Sequence, residues 1–468
     1  MLQPRTICPL ALRLLEVVAV GFLGGLCPLL AASNYATPYT FSTVVGTAGT
    51  ASSNDGTGSA ASFFQPSGIT LDGSGNLYVA DSYNDTIRKI TPGLVVTTLA
   101  GSPRVYGTAD GSGSTARFDN PIGVVVDGSG NIVVVDSYNH TLRKITPAGV
   151  VTTFVGSAGN SGSTDGSGST ARFYYPGWIA LDKSGNFYVT DTYNSTIRKI
   201  TPGGVVSTLA GSAGQTGSTD GSGSVARFAF PVGVAVDGSG NVYVADSSND
   251  TIRKITSGGV VSTLAGSPGM GGSTDGSGSA ARFSIPLGVT LDGSGNLYVA
   301  DNGNDTIRKV TPGGVVTTLA GTPSITGGST DGNGSAALFN SPAGLVVDHS
   351  GILYLTDGTN DTIRAGTAPD AFNGAVVNGT LKTSSWFGYY TYGSYPLVYE
   401  YYLGYEYVYP TNGGATLYDY TSGHFWYTQS SYYPTIYDYS LHAFLYYYSA
   451  NSPHRHFYNY NTGTVITE

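Results

Sequence analysis

Charged residues and cysteine are scarce in this chain. Only 11% of its 468 residues are Asp, Glu, Lys or Arg, less than half of the roughly 25% found in ordinary globular proteins. Both cysteines, Cys8 and Cys27, lie within the first 33 residues. A chain that has lost this segment therefore has no disulfide bond and no cysteine-ligated metal.

The chain also lacks an apolar run of the roughly 20 residues that a membrane-spanning helix needs. Its apolar stretch from Val17 to Leu30 follows Arg5 and Arg13 and leads to Ala31-Ala-Ser33. This order is typical of a secretory signal peptide, so residues 1–33 are predicted to be removed after Ser33. We therefore expect a secreted or cell-surface protein without a transmembrane span. A single membrane anchor is the alternative interpretation of the segment.

Basic residues are too few for a polyanionic partner. The chain has 21 Lys and Arg against 30 Asp and Glu, a formal net charge of −9, which becomes −10 without residues 1–33. Proteins that bind nucleic acids present a basic surface to the phosphates. The sequence therefore predicts no nucleic-acid partner.

Catalytic motifs are absent as well. Between residues 40 and 366 the histidines are His140 and His349, which fall in different turns and are interpreted as surface turn residues. The sequence has no Ser-His-Asp order, no glycine loop leading into a helix and no HExxH motif. We predict no catalytic residue, no metal site and no cofactor.

What the chain does have is a tandem repeat. The 19 residues that begin at Asp72 return with small changes, 55 or 56 residues apart, at Asp127, Asp182, Asp237, Asp292 and Asp348. A fixed period of this length predicts a repeat architecture in which each unit buries its apolar face against its neighbours.

Each repeat reads as four short strands separated by turns. In the first repeat the apolar runs are 68–72, 76–81, 86–90 and 95–100, and Gly, Asn, Asp and Pro fill the gaps. Four antiparallel strands in about 40 to 55 residues are typical of a β-propeller blade. The sequence thus predicts an all-β, six-bladed β-propeller over residues 40–366.

The ends of the array predict how the ring closes. The sixth unit ends at Thr362-Ile-Arg364 without its fourth strand, while Phe41-Ser-Thr-Val-Val-Gly46 resembles a fourth strand that has no blade of its own. We expect this N-terminal strand to complete blade six and to link the first and last repeats.

The repeat resembles a known family. Its pattern, as in Pro121-Ile-Gly-Val-Val-Val-Asp127, Gly130-Asn-Ile-Val-Val-Val-Asp136 and Asn139-His-Thr-Leu-Arg143, is similar to NHL repeats, and the longer links resemble those of bacterial extracellular proteins and teneurins. The resemblance implies the propeller fold. It leaves function open, because such propellers include protein-binding and RNA-binding modules, a metal-dependent amidating lyase and relatives of lactonases.

Two recurrent polar patterns are interpreted as structural. An Asp ends each second strand and an Arg follows seven residues later, as in Asp81 and Arg88. A hairpin brings the two together, so we predict a contact that fixes the blade corner rather than a catalytic or Ca²⁺ site. The Asn-x-Thr sequons, such as Asn84-Asp-Thr86, are interpreted as copied turns rather than glycosylation sites.

Comparison of the six units indicates a candidate binding face. The two residues before each blade proline differ in every unit, and so does the turn between the second and third strands. Both loops should emerge on one face of the disc, as expected for a diversified binding surface on a common scaffold. The alternative is neutral drift in tolerant loops. The predicted contact residues are aromatic: Tyr138, Tyr174, Tyr175, Trp178, Tyr193 and Phe230.

The C-terminal region has a different character. Residues 367–380 form a predicted linker, and tyrosine dominates residues 381–468 in a short repeat that predicts successive β-hairpins in a small antiparallel domain. Its tyrosines either hold together a thin sheet or form an exposed adhesive face. It resembles the aromatic tails of some bacterial surface proteins. The candidate face residues are Trp386, Tyr401, Tyr420, Trp426, Tyr439 and Tyr460.

Together these patterns predict an exported, non-enzymatic binding or surface-interaction protein. A protein or a glycan is expected on the propeller face, and the tail is expected to associate with the cell envelope, with glycans or with itself. Two alternatives stay open: a lactonase-like or lyase-like metal-dependent propeller enzyme, and a structural envelope protein.

Overall fold

The computed structural model describes residues 38–323 and 326–368, and the backbone of seven strands between residues 405 and 467. The chain divides into two compact units after Ala368. The predicted signal peptide, 1–33, and residues 369–380 of the predicted linker lie outside the described residues. No helix in the described part of the chain is long and apolar enough to cross a membrane.

The described residues up to 368 form six antiparallel sheets of five strands each. In each sheet the first of the four blade strands lies at the axis and the second, third and fourth follow outward, with a short linker strand at the rim. Four long strands make each blade, and a two-residue strand from the preceding linker adds to the outer edge. This is the predicted all-β six-bladed propeller. The four long strands, from the axis outward, are 66–71, 77–81, 86–90 and 95–101 in blade 1; 121–126, 132–136, 141–145 and 150–156 in blade 2; 179–181, 187–191, 196–200 and 205–211 in blade 3; 231–236, 242–246, 251–255 and 260–266 in blade 4; 286–291, 297–301, 306–310 and 315–320 in blade 5; and 342–347, 353–357, 362–367 and 40–45 in blade 6. The outer two-residue strands are 56–57, 111–112, 166–167, 221–222, 276–277 and 332–333.

The turn between the first and second strands shows why each repeat folds locally. The Asp72 carboxylate accepts hydrogen bonds from the backbone N–H groups of Ser74 and Asn76, both at 2.9 Å, and from the Asn76 side chain at 2.8 Å. Gly75 has φ +81°, which costs glycine little. The Asp-Gly-Ser-Gly-Asn sequence therefore closes the hairpin with its own side chains.

The N-terminal strand completes blade six, as predicted. Thr40–Val45 pairs antiparallel with Thr362–Thr367, and Phe41 lies directly opposite Gly366. Phe41 is 1% exposed and meets Phe339 edge to face, with ring centroids 5.0 Å apart. The ring is thus closed by a strand from the other end of the array.

The innermost strands surround the axis, each in contact with those of both neighbouring blades, and blade 6 contacts blade 1. Five of them carry a glycine where they approach most closely: Gly68, Gly123, Gly233, Gly288 and Gly344. A Cβ on Gly233 would collide with the Leu287 carbonyl oxygen, and one on Gly123 would lie 2.9 Å from that of Gly177. Glycine is therefore what lets the inner strands pack side by side.

A buried arginine fixes the corner of every blade, as predicted from the Asp and Arg spacing. In each blade Nη1 donates to the Asp that ends the second strand, at 2.7–2.9 Å. Nη2 donates to an Asp of the preceding linker at 2.6–2.9 Å. The guanidinium carbon lies 5.1–5.4 Å from a phenylalanine ring centroid. The six arginines, all at most 1% exposed, are Arg88, Arg143, Arg198, Arg253, Arg308 and Arg364.

The sequon asparagines belong to the same corner. Each side-chain amide donates to the corner Asp at 2.7–2.9 Å and to a linker carbonyl at 2.6–2.8 Å. All six are buried: Asn84, Asn139, Asn194, Asn249, Asn304 and Asn360. Because the nitrogen that would carry a glycan is buried and bonded, the repeated sequon is a structural motif of the folded blade.

The second unit contains seven strands that neighbour one another in chain order and pair antiparallel. They are 405–411, 414–419, 424–429, 435–438, 443–447, 456–459 and 464–467. The domain boundary at 381 and the aromatic face stay predictions. Trp386, Tyr401, Tyr420, Tyr439 and Tyr460 lie outside the described residues, and for Trp426 only the backbone is described.

Candidate ligand-binding face

The two variable loops of each blade lie on one face, joined by hydrogen bonds. In blade 1 the Phe64 carbonyl accepts a hydrogen bond from the Tyr83 amide at 3.1 Å, and the Phe64 amide donates to Asp81 Oδ1 at 2.8 Å. The same two bonds form in the other five blades. The corner Asp therefore holds both loops, and this face is called the loop face below.

Neighbouring blades are connected on the loop face by the side chain of a residue whose backbone is in the left-handed conformation. The residue before each third strand has φ between 54° and 58°. In four blades it is an Asp whose carboxylate accepts the amide of the pre-proline residue of the next blade, at 2.8–3.0 Å. The pre-proline residue of every blade also has positive φ, even where it is as bulky as Tyr175, Phe230 or Ile285. Because this costly conformation recurs in every blade, it belongs to the scaffold rather than to one site.

His140 and Ser195 occupy this connecting position in blades 2 and 3. His140 Nδ1 accepts the Tyr175 amide at 3.2 Å, which requires that Nδ1 carries no proton. Ser195 Oγ is buried, and no hydrogen-bond partner is found for it among the described residues. The two exceptions to Asp thus stand at the connections that join blade 3, the one blade with two tyrosines before its proline, to blades 2 and 4.

The aromatic side chains of blades 2, 3 and 4 form one continuous cluster, called the aromatic shelf below. Tyr175 is central: its ring centroid lies 5.2 Å from that of Tyr138, 5.2 Å from Tyr174 and 5.0 Å from Tyr193. Tyr193 continues to Phe230 at 5.3 Å. These are the spacings of favourable tilted and edge-to-face ring pairs.

The structure brings together five of the six predicted propeller residues and adds His140. The His140 ring lies 4.7 Å from Tyr175 and 5.8 Å from Tyr174, and the residue is only 8% exposed. Its interpretation as a surface turn residue was wrong, because its side chain turns toward the next blade. The replacement of the repeated Asp by His was the sequence signal that could have found it. His349 does lie exposed in a turn of the opposite face.

Trp178, the sixth predicted residue, lies at the axis rather than on the shelf. It is 8% exposed and shares an apolar cluster with Ile122, Val232 and Leu287, the second residues of innermost strands in other blades. It occupies the place of the axial glycines, and its blade accommodates it because the innermost strand begins only at Ile179. The Thr190 hydroxyl bridges the gap, accepting from the Trp178 amide at 2.8 Å and donating to the Val232 carbonyl at 2.6 Å.

The rest of the loop face differs from the shelf. Blade 1 carries a smaller aromatic group, in which Phe64 lies 5.1 Å from Tyr83 and 5.1 Å from the Arg104 guanidinium. Blades 5 and 6 have no aromatic residue at the same positions, which hold Ser284, Ile285, Gly303, Asn340, Ser341 and Thr359. The near-identical scaffold thus carries aromatic residues in the loops of blades 1 to 4 and none in those of blades 5 and 6.

Carboxylates of the loop face have raised pKa values because they are buried. Burial raises the pKa of the corner aspartates, such as Asp246, to about 6, opposed by the paired arginine. Burial also raises the pKa of Asp305 to about 6, and repulsion by Asp357 and Asp301 adds to it. Within residues 38–323 and 326–368, no three His, Cys, Asp or Glu side chains are grouped as metal ligands.

The connection through His140 predicts a pH dependence. Burial lowers the pKa of His140, so as pH falls the unfolded chain takes up the proton first. Stability from the neutral imidazole is complete above the ordinary histidine pKa of about 6.5 and is lost as pH falls below it. His140→Asn keeps an acceptor for the Tyr175 amide without titrating in this range. We expect the Tm of the variant minus the Tm of the parent, measured by thermal unfolding, to increase as the pH is lowered from 7.5 to 5.5. A Tm difference that does not change with pH would show that His140 has the same pKa in the folded and unfolded protein.

A family model for the NHL repeat matches residues 63–90, 118–145, 173–200 and 228–255. These are NHL repeats. Each match runs from the phenylalanine under the corner arginine to the end of the third strand. It therefore contains the pre-proline loop, the second-to-third turn and the corner Asp and Arg of one blade.

Parts of this chain are similar to parts of longer proteins. NHL repeat-containing protein 2 of Gallus gallus is 30% identical over 340 residues, which are 64% of this chain and 46% of that protein. Teneurin-3 of Danio rerio is 31% identical over 226 residues, which are 43% of this chain and 8% of that protein. The chain thus spans less than half the length of the curated relatives it matches.

Solved structures share the fold of this chain at low sequence identity. One is an auxiliary nutrient binding protein from Bacteroides ovatus, with TM-score 0.54, 18% identity, and cover of 71% of this chain and 78% of that one. A likeness at this identity concerns the fold.

Proposed function

We propose that this protein is an exported, non-enzymatic binding protein that holds a glycan or protein ligand on the aromatic shelf. The observation that carries the proposal is the asymmetry of the loop face. Six blades share the same corner bonds, yet the exchangeable positions hold five aromatic residues in blades 2 to 4 and none in blades 5 and 6. Variation confined to loops on a fixed scaffold is the usual form of a binding surface.

The shelf has the chemistry of a site for ring-shaped or flat apolar groups. Tyr174 is 37% exposed, and the rings beside it are partly exposed. Tyrosine presents a rigid apolar face with a polar tip, and ordering it costs little entropy because it has few rotatable bonds. Sugar rings, which have apolar C–H faces and polar edges, suit such a surface, and so do flat side chains of a protein.

Two further observations support binding over the alternatives. A cavity inside the ring, between the innermost strands, is lined within the described residues by aliphatic side chains, two threonines and Trp178. A metal-dependent lactonase-like or lyase-like enzyme would need converging carboxylates there. A purely structural envelope protein would not need aromatic residues on the loop face. Propellers of the same fold are named nutrient binding proteins in Bacteroides, a use that the proposal extends to this chain.

Export and attachment complete the proposal. The segment 1–33 would direct secretion, and the tyrosine-rich tail would associate with the cell envelope, with glycans or with other copies. The propeller would then present its loop face outside the cell.

The test is binding of the full chain to a glycan array and to extracellular protein extracts, followed by titration of each binder. Tyr174→Ala combined with Tyr193→Ala should weaken binding at least ten-fold, the loss expected when central aromatic contacts are removed. Phe64→Ala combined with Tyr83→Ala, which removes the aromatic pair of blade 1, is the matched control and should change affinity less than two-fold. Equal losses in both variants, or binding that depends only on the tail, would refute the shelf as the site.

A further inference from the structure

The joint between blades 2 and 3 differs from the other joints of the loop face in the chemistry of its hydrogen-bond acceptor. In four blades the acceptor is the carboxylate of an Asp, which receives the pre-proline amide of the next blade. A carboxyl group keeps an acceptor oxygen even when it is protonated. In blade 2 the acceptor is His140 Nδ1, 3.2 Å from the Tyr175 amide nitrogen. This nitrogen can accept only while it carries no proton.

Tyr175 makes this joint part of the aromatic shelf. Its ring contacts the rings of Tyr138, Tyr174 and Tyr193. Its backbone has φ 44°, a conformation that a bulky residue rarely adopts and that persists only where the surroundings hold it. The His140 ring lies edge to face with the Tyr175 ring, 4.7 Å between centroids. The bond to His140 therefore helps to fix both the backbone and the central ring of the shelf.

Protonation of His140 breaks this bond. The imidazolium ion has two N–H donors and no acceptor, so its Nδ1–H would be directed at the Tyr175 N–H. Burial lowers the pKa of His140 and outweighs the Ser137 carbonyl, which favours the charged ring. The bond is therefore intact above the ordinary histidine pKa of about 6.5 and is lost as pH falls below it.

Other groups around His140 titrate without removing an acceptor. The charged side chains on the loops and blade corners beside it are Asp119, Asp136, Arg143, Arg172, Asp191 and Arg198. Burial raises the pKa of the corner residues Asp136 and Asp191 to about 6, opposed by their paired arginines. A neutral Asp191 carboxyl still has an oxygen for the Tyr174 amide. The role of His140 is thus separated from theirs by a variant of His140 alone.

We infer that the aromatic shelf is regulated by pH: it holds its ligand near pH 7.5 and loses affinity toward pH 5, because protonation of His140 releases Tyr175. The inference rests on the proposed function and names the regulation of that site. Ligand binding favours the arrangement in which His140 is neutral, so a bound ligand in turn makes His140 harder to protonate. A single linked proton limits the loss of affinity to about ten-fold per pH unit.

Hydrogen exchange at the Tyr175 amide tests the switch without a ligand. Protection factors of the full chain, each corrected for the intrinsic exchange rate at its pH, are compared at pH 7.5 and pH 5.0. In the parent we expect protection to fall about two- to ten-fold, the range for one hydrogen bond. His140→Asn supplies a carbonyl oxygen that does not titrate, so its protection should change less than about two-fold. Equal changes in the two proteins would overturn the inference.

Should His140→Asn fail to fold, His140→Asp replaces it as the comparison. This variant recreates the connecting residue of blades 1, 4, 5 and 6, which is Asp85, Asp250, Asp305 and Asp361. Its carboxyl group accepts the Tyr175 amide in both protonation states. The loss of protection seen in the parent should again be absent, and a loss as large as that of the parent would overturn the inference.

Titration with cellohexaose and with hexa-N-acetylchitohexaose shows whether the switch reaches a bound molecule. Neither sugar titrates between pH 5 and pH 7.5, so any pH dependence belongs to the protein. For a sugar that binds at pH 7.5, calorimetry should show at least about three-fold weaker binding to the parent at pH 5.0, and a change of less than about two-fold for His140→Asn.

The outcomes separate the inference from the proposed function. Equal weakening of parent and His140→Asn would overturn the switch and leave the shelf as a binding site. Failure of both sugars to bind at any pH would count against a glycan on the shelf, and exchange at the Tyr175 amide would still decide whether His140 controls the shelf.

Discussion

Replacing Arg253 by methionine is expected to lower the free energy of unfolding by about 3–5 kcal/mol, the cost of leaving one member of a buried ion pair without its partner. Arg253 Nη1 donates to Asp246 Oδ2 at 2.7 Å and to the Arg227 carbonyl at 2.9 Å. Both Arg253 and Asp246 are 0% exposed. Methionine fills much of the same volume but leaves the Asp246 carboxylate buried with its negative charge uncompensated.

The loss should reach beyond one contact because Arg253 joins three segments. Its Nη2 also donates to Asp220 Oδ1 at 2.6 Å, which ties the linker from blade 3 to the corner of blade 4. Its guanidinium carbon lies 5.2 Å from the centre of the Phe228 ring. Equilibrium unfolding in urea, followed by circular dichroism, measures the change. Arg282→Met is the matched control, since its guanidinium donates to the Ser279 and Ala281 carbonyl groups near the surface, and it should cost less than about 1 kcal/mol.

The deficit of Arg253→Met should depend on pH with a definite sign. Burial raises the pKa of Asp246 to about 6 in the parent, above the roughly 3.9 of an unfolded aspartate. A neutral carboxyl needs no counter-charge, so the fold gains stability relative to the unfolded chain as pH falls from about 6 toward 4, and loses it as pH rises through 6. Without Arg253 the charged form is disfavoured further. The deficit should therefore shrink between pH 7.5 and pH 5, and a deficit that grows on acidification would contradict this account.

The corner arginine also shows what the sequence could predict. The Asp and Arg recur seven residues apart in every repeat, and the hairpin between them places the two side chains next to each other. The ion pair, the blades and the closing strand could therefore all be predicted from the repeat. Local spacing carries such information because each contact lies within one unit or between consecutive units.

The axis and the connection between blades could not be predicted in the same way. Gly233 is needed because two innermost strands approach closely in the closed ring. Trp178 stands at the equivalent position, but its own repeat does not show that this position lies at the axis. His140 likewise acts on Tyr175 of the next blade, 35 residues along the chain. Aromatic composition identified the shelf, but packing around the ring decided that Trp178 lies apart from it.

A second prediction concerns the pair of residues that closes the ring. In blades 1 to 5 the end of the third strand lies opposite a valine of the fourth: Ile90 with Val96, Ile145 with Val151, Ile200 with Val206, Ile255 with Val261, and Val310 with Val316. In blade 6 the pair is Gly366 with Phe41. A Cβ on Gly366 would collide with the Phe41 ring. The large ring thus fills the space that isoleucine or valine occupies in the other blades.

Exchanging both residues should therefore be less harmful than exchanging either one. Phe41→Val leaves a cavity and is expected to cost about 2 kcal/mol. Gly366→Ile pushes a branched side chain against the Phe41 ring and is expected to cost about 1–3 kcal/mol. The double variant recreates the pair found in blades 1, 2, 3 and 4, so it should be at least as stable as the better single variant. Urea unfolding of the four proteins gives the coupling free energy, expected at about 1–3 kcal/mol in favour of the double variant. Additive losses would mean that the two side chains do not compensate each other.

The pairing of Phe41 with Gly366 also determines which blade the N-terminal strand can join. The other five joints of fourth and third strands form between segments a few residues apart, whereas Thr40–Val45 must find Thr362–Thr367 from the far end of the array. Phe41 fits opposite a glycine and would collide with the isoleucine or valine at the same place in blades 1 to 5, so the strand is excluded from those blades by shape. Hydrogen exchange at the Ser42 to Val45 amides reports on this closure. Protection should fall in both single variants and return in the double variant, because the amides stay protected only while the strand is paired.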